Sequence, residues 1–135
     1  MSWYLIVWQR AADFSGRSRR REYWIFNLFN AVVVMVLLLL AVLFSDRNKP
    51  GAIPFFPAFF YCFVVFVPSL SVTIRRLHDI GKSGWWYLIA FIPLIGGIFL
   101  FVFTLLDSEP DANQWGLDPK ASERVQAPPP YPMYR

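Results

Sequence analysis

Three uncharged stretches constrain this chain more than any other feature. Tyr23–Ser45, Pro50–Ile74 and Ser83–Leu106 contain no Asp, Glu, Lys, Arg or His. A membrane-spanning helix needs ~20 consecutive apolar residues, and each stretch is long enough. The expected architecture is therefore an all-α membrane protein with three transmembrane helices, at about 24–44, 55–74 and 85–106. Of the 135 residues, 56% are hydrophobic and 19% aromatic, more apolar surface than a soluble domain of this size can hide. The spans and their loops leave too little chain for a separate soluble catalytic domain.

Ahead of the first span, Trp3, Ile6, Val7, Arg10, Ala11 and Phe14 recur at near-helical spacing. The segment is too short to cross, and its aromatic residues suit the headgroup layer, so it reads as a short interfacial amphipathic helix. Ser15-Gly16 ends it. Ser18 is an imperfect cap, with Arg21 where a capping box wants Glu. Met1–Gln9 lacks the basic start of a signal peptide, so the first span is expected to stay in the mature protein.

Tyr23 and Trp24 form an aromatic belt at the first span. Asn27 and Asn30 lie on one helix face and, with Gly96 and Gly97, are candidate helix–helix contacts. In the second span Pro54 and Pro57 suit a helix start, and Pro68 predicts a kink, with Ser69, Ser71 and Thr73 placed to satisfy freed backbone groups. In the third, Pro93 and Gly96-Gly97 predict a kink or a re-entrant turn. Residues 1–120 read as a single membrane domain and 121–135 as a Pro-rich, disordered tail. Pro128–Tyr131 matches a PPxY pattern, for which low complexity is the simpler explanation.

The net charge is +4, and its placement sets the orientation. Arg10, Arg17, Arg19, Arg20 and Arg21 precede the first span; Arg75, Arg76 and Lys82 follow the second. Only two basic residues lie in the 45–54 loop, and Lys120 follows the third span. The positive-inside rule then places the N-terminus in the cytoplasm and, with three full crossings, the C-terminus in the periplasm. A re-entrant third segment brings the C-terminus back inside. Nucleic acid is not an expected partner, because no aromatic platform or recognition helix accompanies the charge. The one cysteine, Cys62, forms no intrachain disulfide and reads as a packing residue.

Arg17, Arg19, Arg20, Arg21, Arg75, Arg76, His78, Lys82 and Ser83 meet at one membrane face in this topology. The helix start after Ser83 adds free N–H groups. Together they suggest a pocket for an anionic phospholipid headgroup. The plainer reading is a set of topology arginines paired within the protein, with Glu22 and Asp79 as counter-charges. A phosphate-loop reading of Gly81-Lys82-Ser83 fails because Arg76 stands where the earlier glycine belongs. His78 is the only histidine, so zinc lacks ligands and no nucleophile partner presents itself. The acidic run Asp107, Glu109, Asp111 and Asp118 fits no EF-hand spacing. No catalytic, metal or cofactor-binding residue is assigned, and no cofactor is expected.

Several motifs together carry a resemblance: Gly16-Arg-Ser-Arg-Arg-Arg-Glu-Tyr-Trp24, Pro68-Ser-Leu-Ser-Val-Thr-Ile-Arg-Arg-Leu-His-Asp-Ile-Gly81, Ser83-Gly-Trp-Trp86, Ile92-Pro-Leu-Ile-Gly96 and Asn113-Gln-Trp-Gly-Leu-Asp-Pro119. With Trp3-Tyr4 they resemble the bacterial inner-membrane family catalogued as domain of unknown function 805. The resemblance covers nearly the whole chain to Pro119. It implies a bacterial inner-membrane location and lends no catalytic residues. The expected role is a small non-enzymatic structural or accessory subunit, assembling with itself or with a larger membrane complex. An oligomeric small-solute or ion pore or transporter, and a protein that binds or handles anionic lipid through a cytoplasmic basic face, are the alternatives.

Overall fold

The computed structural model describes residues 3–45 and 51–126. The helices are α1 (Trp3–Gln9), α2 (Arg20–Leu43), α3 (Phe56–Asp79), α4 (Gly96–Leu105) and α5 (Ala121–Gln126), with 3₁₀ helices at Ile53–Phe55 and Gly84–Phe91. Most of the polar loop after the first span and the Pro128–Tyr131 pattern lie outside the described residues. The described chain groups into two compact units.

The first unit comprises residues 1–14 and 21–74. Its core is Val7, Phe26, Val65 and Val72, with Tyr4, Trp8, Tyr23 and Tyr61 packed around them. Tyr4 stacks on Phe26 at 5.4 Å and meets Phe29 edge-on at 4.7 Å, which fixes α1 against α2. The turn that ends α1 exposes carbonyls, and the Ser71 hydroxyl lies 3.1 Å from that of Arg10 and 2.6 Å from that of Asp13. Pro68 sits inside α3 without ending it. Two long helices, Arg20–Leu43 and Ile53–Asp79, are apolar enough to cross a membrane. Only 17% and 28% of their apolar windows are buried, whereas the core helix of a soluble protein is mostly buried. These faces are built for lipid or for another helix.

The second unit comprises residues 15–20 and 75–135. Here residues 85–106, expected as a third span, do not form one membrane-length helix. The segment is two limbs, the 3₁₀ helix Gly84–Phe91 and α4, separated by a break at residues 92–95. The rings of Trp86 and Phe103, 17 positions apart in sequence, lie 5.7 Å apart, so the limbs run back along each other. Each limb is ~15 Å long, about half of the ~30 Å hydrocarbon core. The cause is local. Pro93 disfavours helical backbone at Ile92, which is extended at ψ 114°, and Leu94 takes φ +67°. Gly96 then lets the limbs touch, since a Cβ there would collide with the Ile89 carbonyl. The hairpin leaves where it enters: the Glu109 N–H donates to the Asp79 carbonyl at 2.8 Å.

α3 ends in a glycine-terminated cap. Gly81 has φ +72°, the Lys82 N–H reaches the Leu77 carbonyl at 2.9 Å, and the Gly81 N–H reaches that of His78 at 3.1 Å. Asn113 and Gly116 exchange backbone hydrogen bonds at 3.0 Å in a tight turn. Downstream, Asp118 accepts from the Lys120 N–H at 2.8 Å and begins α5.

Candidate functional site

The chemistry of the second unit centres on Asp79, the last residue of α3. One carboxylate oxygen accepts from Arg17 Nε at 3.0 Å. The other accepts from Arg76 and, at 2.5 Å, from the Ser108 hydroxyl. All three charged side chains are sealed from solvent, with exposures of 1% or less. Two guanidinium groups around one carboxylate leave excess positive charge, and backbone carbonyls disperse it. Arg17 donates to the carbonyls of Asp111 at 2.7 Å, Asp79 at 3.3 Å and Glu109. Arg76 donates to Thr104 at 3.4 Å and to Leu106. Thr104 and Leu106 close the C-terminal end of α4, where the helix dipole is negative and favours a cation. Only arginine supplies five donors in a planar fork, which suits it to such a junction.

A second layer surrounds this knot. The Asn113 amide donates to the His78 carbonyl and to the Glu109 carboxylate, both at 2.9 Å. Its own oxygen accepts the Trp115 N–H at 3.0 Å, a local turn that lays the Trp115 ring on His78 at 4.7 Å and 7°. His78 Nδ1 lies 3.2 Å from the Gly16 carbonyl and donates to it. Trp115, half-buried, is thus a stacking partner for the histidine. Of the acidic run, Asp107 pairs with Lys120 and Asp118 with Arg124 at 2.8 Å, while the Glu109 carboxylate takes the Asn113 amide. The Lys120 ammonium holds the Asp107 carboxyl below the usual carboxylate range, against the opposing effect of burial.

The nine headgroup candidates therefore separate. Arg17, Arg76 and His78 converge on the Asp79 knot. Arg19 turns to Glu123 at 2.6 Å and to the Pro119 carbonyl. Arg75 is fully buried, and its carbonyl accepts the Ser18 N–H at 3.1 Å. Arg20 is half-buried and Arg21 exposed. Lys82 lies 5.7 Å from the Trp86 ring, and Ser83 caps the 3₁₀ helix by accepting the Trp85 N–H at 3.4 Å. Sequence reasoning missed Ser108 and Asn113. The available signal was the two-residue spacing of Asn113 and Trp115, an Asx-turn pattern beside an aromatic.

A second feature lies wholly in the first unit, a groove of about 590 Å³ between α2 and α3. On α2 it is lined by Asn27, Asn30, Ala31, Val34, Met35 and Leu38, and on α3 by Tyr61, Cys62, Val65, Phe66 and Ser69. Asn30 donates to the Phe26 carbonyl at 2.7 Å and accepts from the Tyr61 hydroxyl at 2.5 Å. Asn27 donates to the Tyr23 carbonyl at 2.9 Å. Of the two candidate contact glycines, Gly96 meets Ile89 within the hairpin, while a Cβ on Gly97 meets nothing within 4 Å.

The family described as "Protein of unknown function (DUF805)" matches residues 11–117. The chain belongs to this family. The matched region holds the DUF805 knot entire, from Arg17 to Trp115, and omits α1 and α5. Inner membrane protein YhaI of Escherichia coli (strain K12) is 38% identical over 120 residues, 89% of this chain and 97% of that one. Inner membrane protein YhaH of the same strain is 39% identical over 120 residues, 89% of this chain and 98% of its own. The uncharacterized protein YiiR, also of that strain, is 32% identical over 97 residues, 71% of this chain and 59% of its own. No solved structure matches. With its two membrane-length helices, this DUF805 member is a multi-pass protein of the bacterial inner membrane.

Proposed function

We propose that the chain is a non-enzymatic integral membrane protein that serves as a structural or accessory subunit, in a homo-oligomer or a larger inner-membrane complex. The observation that carries this reading is the sealed Asp79 knot. It spends two arginines on fastening the segment after the hairpin to the end of α3. Meanwhile α2 and α3 keep broad apolar faces outward, as a subunit that packs beside other helices requires. In gentle detergent, at native expression level, the protein is expected to co-purify as an oligomer or with a stoichiometric membrane partner. Recovery as a bare monomer under the mildest conditions overturns the reading.

The same reading assigns an orientation. The hairpin returns to Asp79, so the C-terminal segment lies on the side of the 75–84 loop, and Arg17 joins it there. Among the described residues of the second unit, Arg17, Arg19, Arg20, Arg75, Arg76, Lys82, Lys120 and Arg124 then share one side. The positive-inside rule makes that side cytoplasmic for both ends of the chain. This departs from the periplasmic C-terminus that three full crossings would give. A C-terminal reporter enzyme active only in the periplasm is expected to stay silent. Activity there reinstates a third crossing.

A further inference from the structure

The groove of the first unit has a direction. α3 runs back along α2, and Phe26 shares its buried cluster with Val65 and Val72, which sets Ser69 near the level of Asn27. Both stand at the end close to the Trp24 belt. Asn30 and the Tyr61 hydroxyl come next, and the far end is lined by Val34, Met35 and Leu38. The floor is Ala31, the smallest side chain of the α2 stripe. From Asn27 to Leu38 the groove runs ~16 Å along the helix. That is close to one leaflet's share, ~15 Å, of the hydrocarbon core. A partner helix that crosses the bilayer would need a seam about twice as long.

We infer that this groove seats one acyl chain of a glycerophospholipid from the leaflet nearest Trp24, with the ester carbonyl between Asn27 and Ser69. An ester carbonyl is a pure acceptor. The Asn27 amide spends one N–H on its own helix and keeps the second, and the Ser69 hydroxyl supplies another donor. Beyond the ester the chain passes Asn30 and Tyr61, whose polar atoms are engaged with the Phe26 carbonyl and with each other, and then meets apolar walls and the thiol of Cys62. Polarity, length and orientation thus match one lipid tail. The inference is independent of the subunit reading: a lipid bound here leaves the outer helix faces available to partners.

The test uses the full chain in vesicles of phosphatidylethanolamine and phosphatidylglycerol, doped with phosphatidylethanolamine carrying a diazirine at mid-chain. After illumination, peptide mapping is expected to show Met35 and Cys62 labelled at least five-fold over Leu39 and Phe63, which are 57% and 74% exposed but lie outside the groove. Asn27→Leu combined with Ser69→Ala is expected to bring groove labelling down to that reference level, and Ala31→Trp, which fills the floor, to do the same. Equal labelling of both sets in the unsubstituted protein overturns the inference and depends on no variant. Oxidant-driven disulfide formation between Cys62 of two copies overturns it as well, because a second protein chain would then occupy the groove. Cys62 is the only cysteine, so that arm needs no engineering.

Discussion

The region around Asp79 and the region around Asn30 handle buried polarity in opposite ways. Around Asp79 the polar groups are dense and charged: two guanidiniums, one carboxylate, one hydroxyl and several carbonyls. Around Asn30 a neutral hydrogen bond to Tyr61 links α2 to α3 within a largely apolar setting. The contrast follows from desolvation. A charge in the hydrocarbon core is costly unless it faces a partner, so the uncharged stretches of α2 and α3, residues 23–43 and 56–74, use amides and hydroxyls for their hydrogen-bonding side chains. At the end of α3 the chain can hold charge, provided each group is paired as it leaves water. Adhesion within the first unit is therefore mostly packing, and within the second mostly electrostatic.

The largest expected effect comes from breaking the electrostatic side of that comparison. Asp79→Asn removes the one anion between Arg17 and Arg76 and leaves two buried cations facing each other. Losing one partner of a buried ion pair costs ~3–5 kcal/mol. Limited proteolysis should then cut after residue 106 at conditions where the unsubstituted protein resists. Unchanged protection would mean the knot is not what holds that segment. Next comes Gly96→Val, which drives a branched side chain into the Ile89 carbonyl and should force the hairpin limbs apart. In a Cys62→Ser background, a short bismaleimide should crosslink Trp86→Cys to Phe103→Cys, and the crosslink should fall once Gly96 is replaced.

How much of this was legible beforehand differs between the same two regions. The first unit follows from local rules: an uncharged run of sufficient length is a helix in a membrane, and the spacing of Asn27 and Asn30 identified the polar face. The residue that answers Asn30, Tyr61, lies 31 positions away and has no local signature. In the second unit the paired arginines were visible as a basic cluster, and Asp79 as a counter-charge. What was not visible is that Arg17 reaches across 62 positions, because a pairing at that distance has no local signature. The hairpin itself turned on Pro93 and Gly96. Their presence permits a kinked crossing or a return, and only the contact of Trp86 with Phe103 distinguishes the two.

Tyr61→Phe sharpens the comparison from the apolar side. It deletes one hydroxyl and leaves the ring in place, so α2 and α3 keep their packing and lose their hydrogen bond. Interhelical hydrogen bonds in membranes are worth ~0.6–2 kcal/mol, and the expected loss of stability to denaturing detergent lies in that range. A loss as large as that of Asp79→Asn would mean that the first unit also depends on polar adhesion.

The smallest effect belongs to the rim of the charged region, where Lys120 meets Asp107. The Asp107 carboxyl is depressed in the folded chain by that ammonium. A depressed carboxylate stabilises the fold above its unfolded pKa, and the contribution is lost as pH falls through the folded value. Lys120→Gln should therefore lower stability slightly at neutral pH and leave it unchanged in strong acid, where the carboxylate is protonated either way. Asp107 is 62% exposed, so solvent screening keeps the difference below ~1 kcal/mol. Raising the salt concentration should shrink it further, whereas the Asp79 knot, sealed from ions, should respond little. Equal salt sensitivity at both sites would mean that the knot is open to water, which would remove the distinction between a buried electrostatic clasp and an ordinary surface pair.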